Sequence, residues 1–72
     1  MERSMAPLYP EVHVSLRSRN RFAVASAVRQ ALRRAGKERS DIERFTREAL
    51  AAPDAQLCVE ICQRWVALSA PA

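Results

Sequence analysis

Seventy-two residues are enough for one small domain and too few for two. With 49% hydrophobic and 28% charged side chains the chain is not of disordered composition, and its core is too small to house a closed, water-excluding catalytic pocket with ease. The net charge of +4 is gathered in residues 17–39, where eight basic side chains stand against Glu38 alone, which points to an anionic partner or to two faces that attract one another in a dimer.

Residues 1–10, with Pro7 and Pro10, read as a flexible leader ahead of a single compact domain over residues 11–70. No apolar run approaches the ~18 residues that a membrane span needs. The first residues lack the apolar centre of an export signal, so the expected setting is a bacterial cytoplasm. Residues 11–16 then alternate. Val12, Val14 and Leu16 fall on one side, Glu11, His13 and Ser15 on the other, which predicts a half-buried strand.

Asn20 is suited to cap a helix over residues 21–35, since its side chain can accept from the free N–H groups of the first turn. Val24, Val28, Ala31, Leu32 and Ala35 make one apolar stripe, and Gly36 follows as the residue that ends it. Ser40 and Glu43 have the spacing of a capping box for a second helix, with Ile42, Phe45, Thr46 and Ala49 inward and Pro53 as its stop. Asp54 caps a third helix in which Leu57, Ile61, Trp65 and Leu68 share a face. Its end has two readings. The helix runs on past Trp65, or residues 65–69 leave it as a short strand that pairs with residues 11–16. The fold class is therefore α+β and mostly helical: strand, three helices and a short final strand. A lone strand with bare edges needs a partner in this chain or another.

Candidate chemistry is sparse. Cys58 and Cys62 lie one helical turn apart, a geometry that disfavours a disulfide, and they read as small buried hydrophobes. With His13 the only further soft ligand, no metal site is expected. His13 is also the only acid–base candidate, without a nucleophile or an orienting group beside it, so no catalytic residue is assigned. A single glycine excludes a Gly-rich phosphate cradle, and no cofactor is expected.

The most informative feature is basic. Arg29, Arg33 and Lys37 recur at i, i+4 and i+8, flanked by Arg34, opposite the Val24–Val28 face. Such a stripe suits phosphate oxygens or carboxylates, and equally a solvated helix face. Residues 31–47 resemble a helix-turn-helix only in spacing. The second helix carries Asp41, Glu43 and Glu48, a poor charge for entering a DNA groove. Phe22 lies off the apolar stripe of its helix and, with Tyr9 and Leu8, is a candidate anchor for a protein interface, while Phe45 and Trp65 read as core.

The strings Val14-Ser-Leu16, Asn20-Arg-Phe22-Ala, Val28-Arg-Gln-Ala-Leu-Arg-Arg-Ala-Gly36, Ile42-Glu-Arg-Phe45, Glu48-Ala-Leu50 and Trp65-Val66 together resemble a small bacterial protein family of unassigned activity. The likeness spans roughly residues 12 to 68. It implies a closing Trp-Val strand and supplies no activity. Here Arg17-Ser18-Arg19 stands where such sequences often carry a glycine before the Asn.

The expected function is that of a non-catalytic binding or accessory protein. It would work by protein–protein contact, including contact with its own copies, through Phe22 and the basic face of Arg29, Arg33, Arg34 and Lys37. The alternative is a nucleic-acid accessory protein that holds phosphates with the same arginines.

Overall fold

The computed structural model describes residues 7–18 and 20–69. The first part of the expected leader (residues 1–6), Arg19 and the expected domain end at residue 70 lie outside the described residues. In chain order the elements are β1 (Tyr9–Ser15), α1 (Arg21–Arg34), α2 (Arg39–Leu50), α3 (Ala55–Trp65) and β2 (Val66–Ser69). This is the α+β, mostly helical architecture that the periodicity predicts.

β1 and β2 form a two-stranded parallel sheet, with His13, Val14 and Ser15 opposite Ala67, Leu68 and Ser69. The alternation holds: Val12, Val14 and Leu16 are buried, while Glu11, His13 and Ser15 face outward. β1 opens two residues earlier than the pattern predicts and takes in Pro10, which the leader reading had set outside regular structure. The reason is the break in register between Tyr9 and His13. A proline has no N–H for the ladder, and an irregular stretch of an edge strand is where that loss is harmless.

The turn into α1 needs no glycine. The Ser18 hydroxyl accepts from the Asn20 N–H at 3.0 Å, and Asn20 Oδ1 accepts from the N–H groups of Phe22 and Ala23 at 2.9 and 3.2 Å. At the other end Gly36 takes φ +78°, a conformation costly for any residue with a Cβ. The Gly36 N–H donates to the Arg33 carbonyl and the Lys37 N–H to the Leu32 carbonyl, so orphan carbonyls of the last turn are filled.

The start of α2 overturns the expected capping box. α2 begins at Arg39 with Glu38 as its extended N-cap and no side-chain cap. Ser40 already has a helical backbone, and an N-cap needs a non-helical one. At α3 the expectation holds, since Asp54 Oδ1 accepts from the Leu57 N–H at 2.8 Å. α3 ends at Trp65, and Val66 passes straight into extended backbone. Trp65 therefore belongs to the helix, and the strand proper starts one residue later.

The three helices and the inner sheet face close one core. Val24, Val28, Leu32, Phe45, Cys58, Cys62 and Val66 are almost fully buried. Trp65 sits among them, edge-on to Phe45 at 5.8 Å between centroids and tilted to Tyr9 at 6.3 Å. Its indole N–H donates to Glu48 Oε1 at 3.1 Å, which keeps a large aromatic core residue from burying an unpaired donor. Two stripe residues are corrected. Ala35 is exposed because it caps α1 after the chain has begun to turn, and Leu57 is exposed in the first turn of α3, at the rim of the core. Thr46 is half-buried and donates its hydroxyl to the Ile42 carbonyl at 2.8 Å.

Candidate functional site: a basic groove between two helices

α1 and α2 are joined by a short turn and lie antiparallel, so the start of α1 meets the end of α2. Between them runs an open groove of about 790 Å³. Arg29 and Arg33 reach it from α1, Arg39 and Arg47 from α2, and Lys37 from the turn, with Ile42, Glu43 and Thr46 completing the walls. At the end near the start of α1 it adjoins, across Arg29 and Thr46, a recess also bounded by Phe22, Ala25, Ser26 and Leu50. Phe22 is 58% exposed and Leu50 46%, large values for side chains of that size in so small a protein.

The placement follows from helical spacing. At 100° per residue, positions seven and eleven along a helix return to within about 20° of the start. Phe22, Arg29 and Arg33 have that spacing on α1. Leu50, Glu43 and Arg39 have it, in reverse, on α2. Because the helices are antiparallel, both apolar residues fall at one end of the groove and Arg33 and Arg39 at the other.

The electrostatics separate the expected basic residues. Lys37 is not a free cation. Its ammonium pairs with Glu11 Oε2 at 2.7 Å and lies 4.5 Å from the centre of the Tyr9 ring. The bond from Lys37 holds the Glu11 carboxyl below its ordinary value. Tyr9 in turn donates its hydroxyl to Asp41 Oδ2 at 2.5 Å, and that bond raises the Tyr9 pKa. Lys37 thus fastens β1 to the α1–α2 turn and Tyr9 fastens it to the first turn of α2, so Tyr9 is a tie within the fold rather than a bare anchor. Arg29, Arg33, Arg39 and Arg47 form no ion pair among the described residues. Arg34 is exposed and lies outside the groove walls, one residue and so about 100° around α1 from Arg33.

Of the residues singled out from sequence, the structure therefore gathers Arg29, Arg33 and Phe22 along one channel, with Lys37 at its end and Arg34 apart. Arg39, Arg47 and Leu50 were missed. The signal for Arg39 and Leu50 was the mirrored i, i+7, i+11 spacing on α2, with Arg47 one turn from Leu50, and it is legible only once the two helices are known to pair antiparallel.

Nothing in the geometry assembles other chemistry. His13 is exposed on the outer sheet face and makes no hydrogen bond among the described residues. No three His, Cys, Asp or Glu side chains cluster as metal ligands among the described residues. Cys58 and Cys62 are buried and unbridged. Burial first, then the neighbouring Cys58, raises the Cys62 pKa far above its ordinary value, so its thiol stays protonated and unreactive. Among the described residues no helix is long and apolar enough to cross a membrane.

No family model, curated protein or solved structure matches the chain.

Proposed function

We propose that the protein is a non-catalytic binding module and that the α1–α2 groove is the surface it offers to a protein partner. One observation carries the reading: four guanidinium groups that form no ion pair among the described residues converge on one groove, and that groove adjoins, across Arg29 and Thr46, a recess walled by the exposed Phe22 and Leu50. Arginine and aromatic side chains are the groups that dominate protein interfaces, because each offers a large contact area with a fixed geometry. The apolar end favours a protein over a phosphate backbone, which has no apolar group to place there. Glu43 in the groove wall repels phosphates further. Self-association belongs to the same reading and would use another surface, the open edges of the two-stranded sheet. Sedimentation equilibrium measures it.

The test is fluorescence anisotropy across a salt series, with a labelled glutamate-rich peptide containing leucine and a labelled random DNA duplex. The reading expects the peptide to bind and the Arg29→Ala/Arg33→Ala variant to lose it. Four phosphates held by the arginines would instead give a log–log salt slope of about −3.6 on the duplex. Such a slope, abolished by the same double change and without peptide binding, would overturn the reading in favour of nucleic acid.

A further inference from the structure

The spacing of the groove residues specifies the shape of what fits. A channel between two packed helices is the natural seat for a third, whose ridges enter the furrow between them. A helix laid along α1 rises by the same 1.5 Å per residue, so its side chains meet those of α1 at equal intervals. From Phe22 to Arg29 is about 10 Å of axis, and from Phe22 to Arg33 about 16 Å. Across the channel, the antiparallel packing puts Leu50 at the Phe22 end and Arg39 at the Arg33 end, with Glu43 and Arg29 between them. The demand is thus graded along the axis: apolar at one end, weakly anionic in the middle where Glu43 offsets Arg29, and strongly anionic at the far end between Arg33 and Arg39.

We propose that the groove binds an acidic amphipathic helix of another protein, with an apolar anchor against Phe22 and Leu50 and carboxylates seven and eleven residues from that anchor, the farther one between Arg33 and Arg39. This rests on the protein-partner reading and narrows it to a ligand class and a register. Charge complementarity selects the occupant. The walls hold four arginines that form no ion pair among the described residues, and the chain's own net charge of +4 sets a second copy against this surface. The apolar end supplies the anchor that acidity alone would not need.

Three synthetic helical peptides of equal composition test it, each made in both chain directions. The first carries leucine with glutamates at the seventh and eleventh positions from it. The second moves both glutamates by two residues, about 200° around the helix, and the third exchanges the leucine with a distant serine. The first peptide is expected to bind about tenfold more tightly than either other, since a misplaced anchor or ion pair is worth about that factor. Phe22→Ser, whose side chain is exposed, should erase the advantage of the leucine while leaving the far-ultraviolet circular dichroism unchanged. Equal affinity for all three peptides overturns the helical register and leaves the protein-partner reading intact. Failure of every acidic peptide, including the flexible glutamate-rich one, removes that reading with it.

Discussion

Phe22 and Phe45 are the same side chain in opposite circumstances, and truncating each gives opposite results. Phe45 is fully buried against the edge of Trp65, so Phe45→Ala leaves a cavity and should cost about 3–5 kcal/mol. A domain of this length has a stability of about 4–10 kcal/mol, so that variant stands near the limit of folding. Phe45→Leu, which refills most of the space, should cost about 1–1.5 kcal/mol and is the variant to quantify. Phe22 is more exposed than buried, and the specific contact of its ring among the described residues is the Arg21 guanidinium at 5.0 Å from the ring centre. Such a contact contributes about 0.5–1 kcal/mol, so Phe22→Ala should lower Tm by no more than about 8 °C. Urea unfolding followed by Trp65 fluorescence separates the two. A loss above about 2 kcal/mol for Phe22→Ala would show that Phe22 supports the core, and the apolar end of the groove would cease to be a docking surface.

Asn20→Ala should destabilise by about 1 kcal/mol, and Gly36→Ala by a similar amount through its positive φ alone, since an added Cβ there meets no atom within 4 Å. Thermal unfolding measures both, and a neutral Gly36→Ala would remove the strain argument. The Glu11–Lys37 pair should stabilise fully above pH 4.5 and fade as pH falls through the lower folded value, and Glu11→Gln should flatten that acid limb of a Tm–pH series. Tyr9 has the opposite sign. Its raised pKa gives stability that is complete below pH 10.0 and lost as pH rises through the folded value, and Tyr9→Phe should abolish that alkaline limb. Cys58 and Cys62 should resist a thiol reagent at pH 8 until urea unfolds the chain, and rapid native labelling would contradict their burial.

The sequence carried its local signals well. The alternation in residues 11–16, the Asn20 and Asp54 caps and the turn at Gly36 depend on neighbours a few residues away, and each appears where its chemistry places it. The Ser40 box failed because α2 starts one residue before Ser40, with Glu38 as its N-cap, so Ser40 is already inside the helix. Non-local facts were less legible. Pairing of the final strand was one of two open endings, and its parallel direction had no local sign. The groove shows the same division. Arg29 and Arg33 stood out as a stripe on one helix, whereas Arg39 and Arg47 acquired meaning only from the antiparallel packing of α2. The neutralisation of Lys37 came from Glu11 in a strand far away in sequence.

The sheet has a consequence for how the domain comes together. Its two strands are the first and last elements, and Tyr9 stands opposite Val66. Closing a loop of roughly 60 residues costs about 3.6 kcal/mol in chain entropy beyond its fixed part. Strand pairing is therefore costly as a first step, and the helices, joined by short turns and each packed on the other two, are expected to assemble before it. The strands then act as a clasp on a preformed bundle. During synthesis the backbone edge of β1 waits unpaired until residues 66–69 have been made, so the interval before the clasp shuts is when this chain is expected to be most exposed to sticking to others.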